Sequence, residues 1–320
     1  AGAVFVKSME RLGVTLEIVA SQFAPDPDFP TVEFPNPEEP RSLDALVATA
    51  AGIDAEVAFA NDPDGDRLGV VVPDGDGWRQ LNGDQIGVLL GDYCLRNSEG
   101  EGRLTAATTV SSRMLAAISA THDVEFVETM HGFKYVARAA DDRLETRLIF
   151  GYEPALGYAV NDTIRDKDGI SAAITFLALV AELKADQKSV LDRLDELAIE
   201  HGVHSTTQVV SWFDGLGALG RMADFMRAVR NDPPSEIGGR QVVQLTDFAG
   251  RADMLRFDLE DGSRVQLRPS GTEPKLKAYI ELVRSVGDGN DLALVRERTE
   301  ADRTELAESV RSLLANVVQH

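Results

Sequence analysis

The sequence predicts an α/β protein in which two doubly wound αβ domains, the first of them incomplete, precede a C-terminal α+β domain with a mainly antiparallel sheet. Two observations favour this fold class. Helix-like and strand-like segments alternate up to about residue 200, as the crossovers of parallel sheets require. Beyond His204, most strand-like segments follow one another directly, which is typical of antiparallel pairing. We therefore predict domains over residues 1–76, 77–202 and 203–320.

The first domain begins with a helix-like segment, VFVKSMERLG, that ends at Gly13. The apolar segment VTLEIVA follows and is expected to form a strand. A proline-rich loop, FAPDPDFPTVEFPNPEEPRS, cannot be helical because proline lacks the backbone N–H. A second helix, LDALVATAAG, and the strand EVAFA are expected to complete a small parallel αβαβ unit that ends near residue 76.

The alternation continues in the second domain. Its helices are expected at QIGVLLGDYCLRN, SSRMLAAISATH and SAAITFLALVAELKA, and its strands at RLTAATTV, VEFVET and RLIFGYE. The strands of the third domain are expected at TTQVVSW, QVVQLTDF, MLRFDLE, RVQLRPS and KAYIELV. One helix over residues 217–230 and a long final helix complete that domain.

Composition excludes several classes of function. A net charge of −21 and a pI near 4.6 oppose binding to nucleic acid or to an anionic membrane, since both rely on clustered Lys and Arg. The longest apolar run, 174–183, is about half of the ~20 residues that a membrane span needs. Cys94 is the single cysteine, so no internal disulfide can form, and a cytoplasmic location is expected. The chain opens inside what reads as an αβ unit, and we expect it to be a fragment.

Three aspartates follow the strand EVAFA at alternate positions, Asp62, Asp64 and Asp66. Because an extended backbone has a period of two, alternation places the three carboxylates on one side, where a hard divalent cation can collect them. An EF-hand loop is excluded, since its sixth and twelfth positions would be Arg67 and Pro73 rather than Gly and Glu. The alternative is a solvated acidic turn, which the flanking apolar segments disfavour.

A second acidic cluster, Asp74 and Asp76, has a different context. It lies in PDGDGW, between two strand-like segments. Asp-Gly at such a position is a hairpin signal, because glycine adopts a positive φ without strain. We therefore predict that the first cluster binds a metal and that the second forms a turn.

A segment near the C-terminal end, LRPSGTEPKLKAYIE over 267–281, predicts a phosphate-binding loop between two strands. It combines a forked cation, two hydroxyls, a glycine that exposes backbone N–H groups and a lysine: Arg268, Ser270, Gly271, Thr272 and Lys275. Only seven lysines occur in this acidic chain, and four lie in the suspected ligand segments, Lys134, Lys167, Lys275 and Lys277. The alternative is an ordinary turn rich in serine and glycine.

A further segment, GYEPALGY over 151–158, places Glu153 at the end of an apolar strand. Ligands of open α/β sheets usually bind at the carboxyl ends of strands. A carboxylate at this position could accept hydrogen bonds from sugar hydroxyls. The alternative is a solvated glutamate at a strand end.

Together, these segments resemble the α-D-phosphohexomutase family, the phosphoglucomutases and phosphomannomutases. The family's metal, sugar and phosphate loops correspond in order to DPDGDR (62–67), GYEPALGY (151–158) and RPSGTEP (268–274). Further matching segments are FPNPEEP (34–40), LNGDQIG (81–87), GFKYV (132–136) and DKDG (166–169). Two residues depart from the family pattern: Pro154 stands where an acidic residue is usual, and His131 where a small one is usual. No TASHNP-like phosphoserine loop occurs in the 320 residues.

The resemblance implies a Mg²⁺-dependent intramolecular phosphotransferase that interconverts the 1- and 6-phosphates of glucose or mannose through a hexose 1,6-bisphosphate. It implies that three aspartates hold Mg²⁺, Asp62, Asp64 and Asp66. It assigns catalytic roles to Arg67 and Lys134. The residues that it implies for substrate binding are Glu153, Arg268, Ser270, Gly271, Thr272 and Lys275.

Two alternatives remain open at this point. Without a serine loop, the chain could bind sugar phosphates and perform no turnover. The segment DPDGD also resembles the DxDGT loop of haloacid-dehalogenase-type phosphatases, in which the first Asp is the nucleophile. That phosphatase loop carries a Thr that this chain lacks, and it leaves RPSGTEP unexplained.

Overall fold

A computed structural model of the chain describes residues 1–213, 215–271, 273–287 and 291–318. Contacts between residues divide the chain into two compact units, Ala1–Glu196 and Leu197–His320. Within the described residues, no helix is both long enough and apolar enough to cross a membrane.

The first unit contains two sheets and the helices around them. Its helices are α1 (Gly2–Arg11), α2 (Ala20–Phe23), a 3₁₀ helix (Pro40–Leu43), α3 (Asp44–Gly52), α4 (Gly83–Arg96), α5 (Met114–Thr121), α6 (Phe133–Val136) and α7 (Gly169–Ala185). Its strands are β1 (Ala58–Asn61), β2 (Leu68–Asp74), β3 (Gly77–Gln80), β4 (Arg103–Thr108), β5 (Glu125–Thr129), β6 (Arg147–Glu153) and β7 (Gly157–Ala159). Helix α8 (Val190–His201) crosses the boundary between the units.

The first sheet is antiparallel, with strand order β1-β2-β3. The expected parallel αβαβ unit is therefore wrong in its pairing. The segment VTLEIVA, residues 14–20, forms no strand, and none of the described residues pairs with it. A strand exists only where a neighbour takes its backbone hydrogen bonds, so an apolar segment without such a neighbour stays irregular.

The predicted turn at the second acidic cluster is confirmed. Strands β2 and β3 pair from Val71↔Gln80 to Asp74↔Gly77, which leaves a loop of two residues, Gly75 and Asp76. Gly75 has a φ of 57°, the left-handed conformation that such tight hairpin loops use. This hairpin extends the sheet that carries the first acidic cluster.

The second sheet confirms the expected doubly wound arrangement. Its order is β5-β4-β6-β7, with β4 parallel to both β5 and β6, and β7 antiparallel at the edge. Helix α4 covers one face, where its glycines lie against the rings of Phe150 and Tyr152. Helix α6 covers the other face, where Val136 packs against Gly151. Since both faces are covered, β6 is buried from Leu148 onward, and Glu153 ends this strand at the carboxyl edge of the sheet.

The second unit confirms the predicted antiparallel C-terminal sheet. Its strands are β8 (Val203–Trp212), β9 (Glu236–Ile237), β10 (Arg240–Asp247), β11 (Leu255–Leu259), β12 (Arg264–Pro269) and β13 (Lys275–Arg284), in the order β8-β13-β12-β11-β10-β9. Two helices, α9 (Ala218–Asn231) and α10 (Leu292–Val318), bury one face through a shared core that includes Phe225, Phe257 and Leu276. Because side chains alternate along a strand, Arg268, Lys275 and Lys277 project from the opposite face.

A buried carboxylate ties two helices of the first unit together. Asp92 of α4 is 1% exposed, and its two oxygens accept hydrogen bonds from Arg193 of α8, at 2.7 and 3.0 Å. Arg96, one turn further along α4, donates a third at 3.0 Å. Because the charge is paired on both sides, its burial is tolerated.

We expect Asp92→Asn to lower the free energy of unfolding of the first unit by about 2–3 kcal/mol. This loss of stability should be smaller than the ~3–5 kcal/mol that breaking a fully buried ion pair costs. The reason is that Arg96 remains paired with Glu182, and Arg193 with Glu196. The single thiol provides the measurement, because burial and the Asp92 charge raise the pKa of Cys94 to about 12 and keep it unreactive in the folded state.

Native-state modification of Cys94 should accelerate about 30- to 150-fold in Asp92→Asn when the thiol reagent is dilute enough for the unit to close again before most openings react. The matched control is Asp142→Asn, which removes the same charge from an exposed position and should leave the rate unchanged. Equal rates in the two variants would contradict a stabilising role for Asp92.

Candidate functional site

The first acidic cluster brings three carboxylates together. Each of Asp62, Asp64 and Asp66 offers one oxygen, and these three atoms lie within 4.8 Å of one another. Asp62 is buried, Asp66 is half-buried and Asp64 is exposed. In the described part of the chain, no other group of three His, Cys, Asp or Glu side chains meets so closely. The cluster is thus open to solvent on one side and anchored on the other.

The backbone around the cluster forms a tight turn directly after β1. The Gly65 N–H donates to the Asp62 carbonyl at 3.0 Å, and Gly65 has a φ of 77°. The side-chain amide of Asn61 closes the turn by donating to the Arg67 carbonyl at 2.7 Å. The three carboxylates therefore converge through a turn closed by these bonds, and the extended backbone expected from the sequence is wrong for this loop.

Arg67 holds the buried carboxylate from two directions. Its backbone N–H donates to Asp62 Oδ1 at 3.1 Å, and its Nε donates to Asp62 Oδ2 at 2.6 Å. Burial by itself would raise the pKa of Asp62, but the hydrogen bonds and the charge of Arg67 outweigh it and lower that pKa. Asp62 is therefore ionised, and its remaining lone pairs can still bind a cation.

The loop FPNPEEP fixes the orientation of the Arg67 guanidinium. Arg67 Nη1 donates to Asn36 Oδ1 at 3.3 Å and lies 3.9 Å from Glu38 Oε2. Gln80 of β3 donates to the Pro37 carbonyl at 2.9 Å and so holds this loop against the first sheet. The proline-rich segment thus positions the arginine that positions Asp62.

The donor set fits a hard divalent cation. Burial raises the pKa of Asp64, and the charges of Asp62 and Asp66 raise it further, as expected for like charges in one place. A cation among them would relieve this repulsion. Oxygen ligands at about 2.1 Å from one ion lie roughly 3–4.2 Å apart, so the observed cluster would need only a small contraction.

Lys167 also lies at the acidic cluster, although the sequence pattern assigned it no role. It belongs to DKDG, and its Nζ bonds to Asp66 Oδ2. Burial alone would lower the pKa of Lys167, but its bond to Asp66 outweighs burial and raises that pKa, so the ammonium is charged. The signal that could have revealed it is the scarcity of lysine, because four of seven lysines lie in the suspected ligand segments.

Glu153 lies beside the metal cluster through backbone pairing. It ends β6, is 8% exposed and pairs with Gly157 of β7. Gly157 in turn forms a β-bridge with Arg67, and the Leu68 N–H donates to the Leu156 carbonyl at 3.1 Å. The structure therefore joins the predicted metal loop and the predicted sugar loop within the first unit.

The electrostatics of Glu153 are set by burial. Burial raises its pKa, and the nearby Lys167 charge lowers it in part. A buried carboxylate whose charge is partly compensated by a nearby ammonium can accept hydrogen bonds from hydroxyls, and when protonated it can also donate one.

The first turn of α4 clamps the loop that carries Glu153. Asp84 Oδ1 accepts hydrogen bonds from the Tyr152 hydroxyl at 2.9 Å and from the Ser112 N–H at 2.8 Å. A Cβ at Gly83 would lie 1.9 Å from the Pro154 carbonyl oxygen, so only glycine fits there. This contact gives the LNGDQIG segment a physical role, which is to position the turn after Glu153.

Lys134, a predicted catalytic residue, is not brought to this site by the described contacts. Lys134 lies on α6, is exposed, and its Nζ lies 5.0 Å from the centroid of the Tyr135 ring. Among the contacts of the described residues, none joins Lys134 to Glu153 or to the aspartates. Its catalytic role stays a prediction.

The predicted phosphate loop lies in the second unit, between β12 and β13. Arg268 is next to last in β12, the Ser270 N–H donates to the Lys275 carbonyl at 2.8 Å, and the Glu273 N–H donates to Ser270 Oγ at 3.3 Å. Gly271 is exposed, with no heavy atom near a hypothetical Cβ. Thr272 lies outside the described residues. The loop is a compact turn that offers hydroxyl, guanidinium and ammonium groups.

We expect Gly83→Ala to lower the free energy of unfolding by about 1–3 kcal/mol, because the added methyl group has to displace the Pro154 turn. Urea denaturation followed by circular dichroism measures this. The matched control is Gly52→Ala at the end of α3, where a Cβ meets nothing within 4 Å. Equal stability of the two variants would refute the clamp.

Comparisons with known proteins place these loops in context. Three family models match the chain: phosphoglucomutase/phosphomannomutase domain II over residues 1–75, domain III over 82–198, and the C-terminal domain over 226–293. The chain is 41% identical over 319 residues to a probable phosphomannomutase of Haemophilus influenzae, covering 97% of this chain and 62% of that protein. It is 32% identical over 286 residues to a phosphoglucomutase of Staphylococcus epidermidis, covering 83% and 52%.

A solved structure supports the fold. A phosphoglucomutase/phosphomannomutase family protein of Burkholderia thailandensis matches with a TM-score of 0.66 at 21% identity, over 96% of this chain and 58% of that chain. In each of these comparisons, the chain spans less than two thirds of its relative.

Proposed function

The chain belongs to the phosphoglucomutase/phosphomannomutase family, and from this premise we propose that it serves a Mg²⁺-dependent intramolecular phosphotransferase that interconverts hexose 1-phosphate and hexose 6-phosphate. The observation that carries the proposal is the backbone bridge between Arg67 and Gly157. This bridge brings a cluster of metal-ligating carboxylates to a buried Glu153 within one rigid set of strands. The proposed substrates are glucose or mannose phosphates, with a hexose 1,6-bisphosphate as the intermediate.

The residues proposed to hold Mg²⁺ are Asp62, Asp64 and Asp66. Carboxylate oxygens are the ligands that this ion prefers in proteins, and the cluster has no sulfur or imidazole donor that would favour zinc. When bound, the ion supplies positive charge against the negative charge of a phosphoryl group.

Arg67 and Lys167 are proposed to set the geometry of the carboxylates. Arg67 keeps Asp62 ionised and fixed, while Lys167 fixes Asp66 and lies on the side of Glu153. Rigid placement of charge before the reaction lowers the reorganisation needed as the phosphoryl group moves. Lys134 is proposed as a further catalytic cation of the first unit.

Glu153 is proposed to hold the sugar. Its carboxylate is buried but lies at the carboxyl edge of a parallel sheet, where ligands of α/β proteins bind. A fixed acceptor can bind paired hydroxyls of a hexose in either of two orientations, which the exchange of the 1- and 6-phosphates requires. Tyr152 and Gly83 contribute by holding its backbone in place.

The loop of the second unit is proposed to hold the phosphate that is not reacting. Its proposed ligands are Arg268, Ser270, Gly271, Thr272 and Lys275. A guanidinium binds phosphate oxygens in pairs, and hydroxyls and exposed N–H groups complete the shell. Such a grip leaves the opposite end of the sugar free to react.

The nucleophile of the reaction is not among these residues. The 320 residues contain no TASHNP-like serine loop, so we propose that turnover needs a phosphoserine loop supplied outside them. Without such a serine, the loops are proposed to hold the ion, contact the sugar and bind the phosphate, but not to perform turnover.

The phosphatase alternative finds no support at Asp62. That residue would be the nucleophile, yet it is 4% exposed and both of its oxygens accept hydrogen bonds from Arg67. The attacking oxygen of a nucleophilic carboxylate has to approach phosphorus directly, and both oxygens of Asp62 already accept hydrogen bonds from Arg67.

We expect Asp64→Asn to weaken Mg²⁺ binding about tenfold or more, because it removes a charged ligand from the cluster. Isothermal titration calorimetry with MgCl₂ measures this. Asp76→Asn is the matched control, since it removes the same charge from the exposed hairpin loop. Equal losses, or a loss in Asp76→Asn alone, would move the metal away from the first cluster.

We expect Arg268→Ala to weaken binding of glucose 1-phosphate and glucose 6-phosphate to the 320-residue chain by about ten- to a hundredfold, since charge-assisted hydrogen bonds are lost. Calorimetry measures the affinity. Arg251→Ala is the control, because Arg251 is exposed and contacts only the Phe248 ring among the described contacts that involve its side chain. Two results would overturn the proposal: equal weakening in both variants, or interconversion of the two phosphates by the pure chain.

A further inference from the structure

An exposed tryptophan stands beside the phosphate loop. Trp212 is the last residue of β8, an edge strand, and it is 51% exposed although indole is usually well buried. In the sheet register it lies directly opposite Lys275, the first residue after the loop. The Lys275 ammonium lies over the indole ring, 4.9 Å from its centroid. This distance is within the range of a cation–π interaction.

Backbone hydrogen bonds attach the same strand end to the loop. The Phe213 N–H donates to the Pro274 carbonyl at 2.8 Å, and the Ser270 N–H donates to the Lys275 carbonyl at 2.8 Å. Phe213 itself is buried in the core of the unit. The backbone of Trp212 is therefore held beside the loop by its pairing with Lys275 and by the buried Phe213 that follows it.

Lys275 has a second partner, which belongs to the loop. Its Nζ lies 2.5 Å from a carboxylate oxygen of Glu273. The Lys275 side chain is 19% exposed, whereas that of Glu273 is 47% exposed. The ammonium thus lies between an aromatic face and a carboxylate that solvent, or an anion, can readily replace.

We propose that Trp212 is a positioning residue for phosphate binding, whose ring holds the Lys275 ammonium at the loop so that a phosphate can replace the Glu273 carboxylate. The inference rests on the proposed function, because it assumes that this loop binds phosphate. A lysine on an exposed strand loses rotamer freedom when it binds an anion. A ring that already restricts the side chain reduces that loss, which is the benefit of preorganisation.

The proposal predicts opposite changes in phosphate affinity for substitutions at Trp212 and at Glu273. If its carboxylate competes with phosphate for the ammonium, Glu273→Gln should strengthen phosphate binding about two- to fivefold. Glu273→Gln thus tests whether phosphate replaces the carboxylate at Lys275. The dependence of the Trp212 effect on Lys275 separates a positioning role from a packing role.

The test titrates the 320-residue chain with inorganic phosphate by calorimetry, at constant ionic strength held with chloride. Trp212→Leu should weaken phosphate binding about two- to fivefold, and Trp212→Phe should keep part of the affinity because a smaller aromatic face remains. In a Lys275→Met background, Trp212→Leu should have no further effect. Val210→Ala, an exposed apolar position two residues earlier on the same strand, is the control and should be neutral.

A second measurement reports the ring directly. Trp78→Phe leaves Trp212 as the only tryptophan, and its fluorescence should change with the same phosphate midpoint that calorimetry gives. Arg268→Ala should abolish that change. Two results would overturn the inference while the proposed function stands. Trp212→Leu could leave phosphate binding unaltered, or it could weaken phosphate binding by the same factor with and without Lys275. Failure of the unsubstituted chain to bind phosphate would overturn both.

Discussion

The paired hydrogen bonds between Arg67 and Asp62 are the interaction on which the first unit's site depends. A buried carboxylate is costly unless it is paired, and Arg67 pairs it through both its backbone and its side chain. The same backbone then continues into the bridge with Gly157, so the residue that stabilises the acidic loop also fixes the position of the loop after Glu153. Charge compensation and loop placement are therefore one structural feature, and disturbing either would disturb the other.

Glycines make the assembly of separate loops possible. A Cβ at Gly169 would lie 2.5 Å from the Arg67 carbonyl oxygen and 2.8 Å from that of Gly65, and one at Gly157 would lie 2.7 Å from the Lys167 side chain. Three loops that are distant in sequence thus approach with their backbones in contact. Ala or any larger residue at these points would push the loops apart. This is the physical reason that the segments DKDG and ALGY carry glycine where they do.

The sequence predicted whatever depends on local pattern. The three aspartates do lie together, although through a turn rather than an extended backbone, Asp-Gly gave the hairpin, and most helices and strands beyond residue 80 formed where periodicity placed them. The other predictions that failed, and the contact that was missed, depend on residues that are far apart in the sequence. Whether VTLEIVA becomes a strand depends on a partner, and the direction of β1 against β2 depends on the connection between them. Lys167 meets Asp66 across 101 residues of sequence, a contact that no local spacing encodes.

The charges within the metal loop also constrain what it can bind. Three carboxylates meet two cations, Arg67 and Lys167, and the sum is one net negative charge rather than three. In a site that binds a divalent ion tightly and permanently, the carboxylates would not be paired with protein cations, and protein oxygens would surround the ion. Here one carboxylate is exposed, and two are already engaged. Such a loop suits an ion that keeps several of its ligand positions for water. In a chain with a net charge of −21, Lys275 and Lys277 project beside Arg268 and concentrate positive charge on one face of the second unit, as binding of an anion would require.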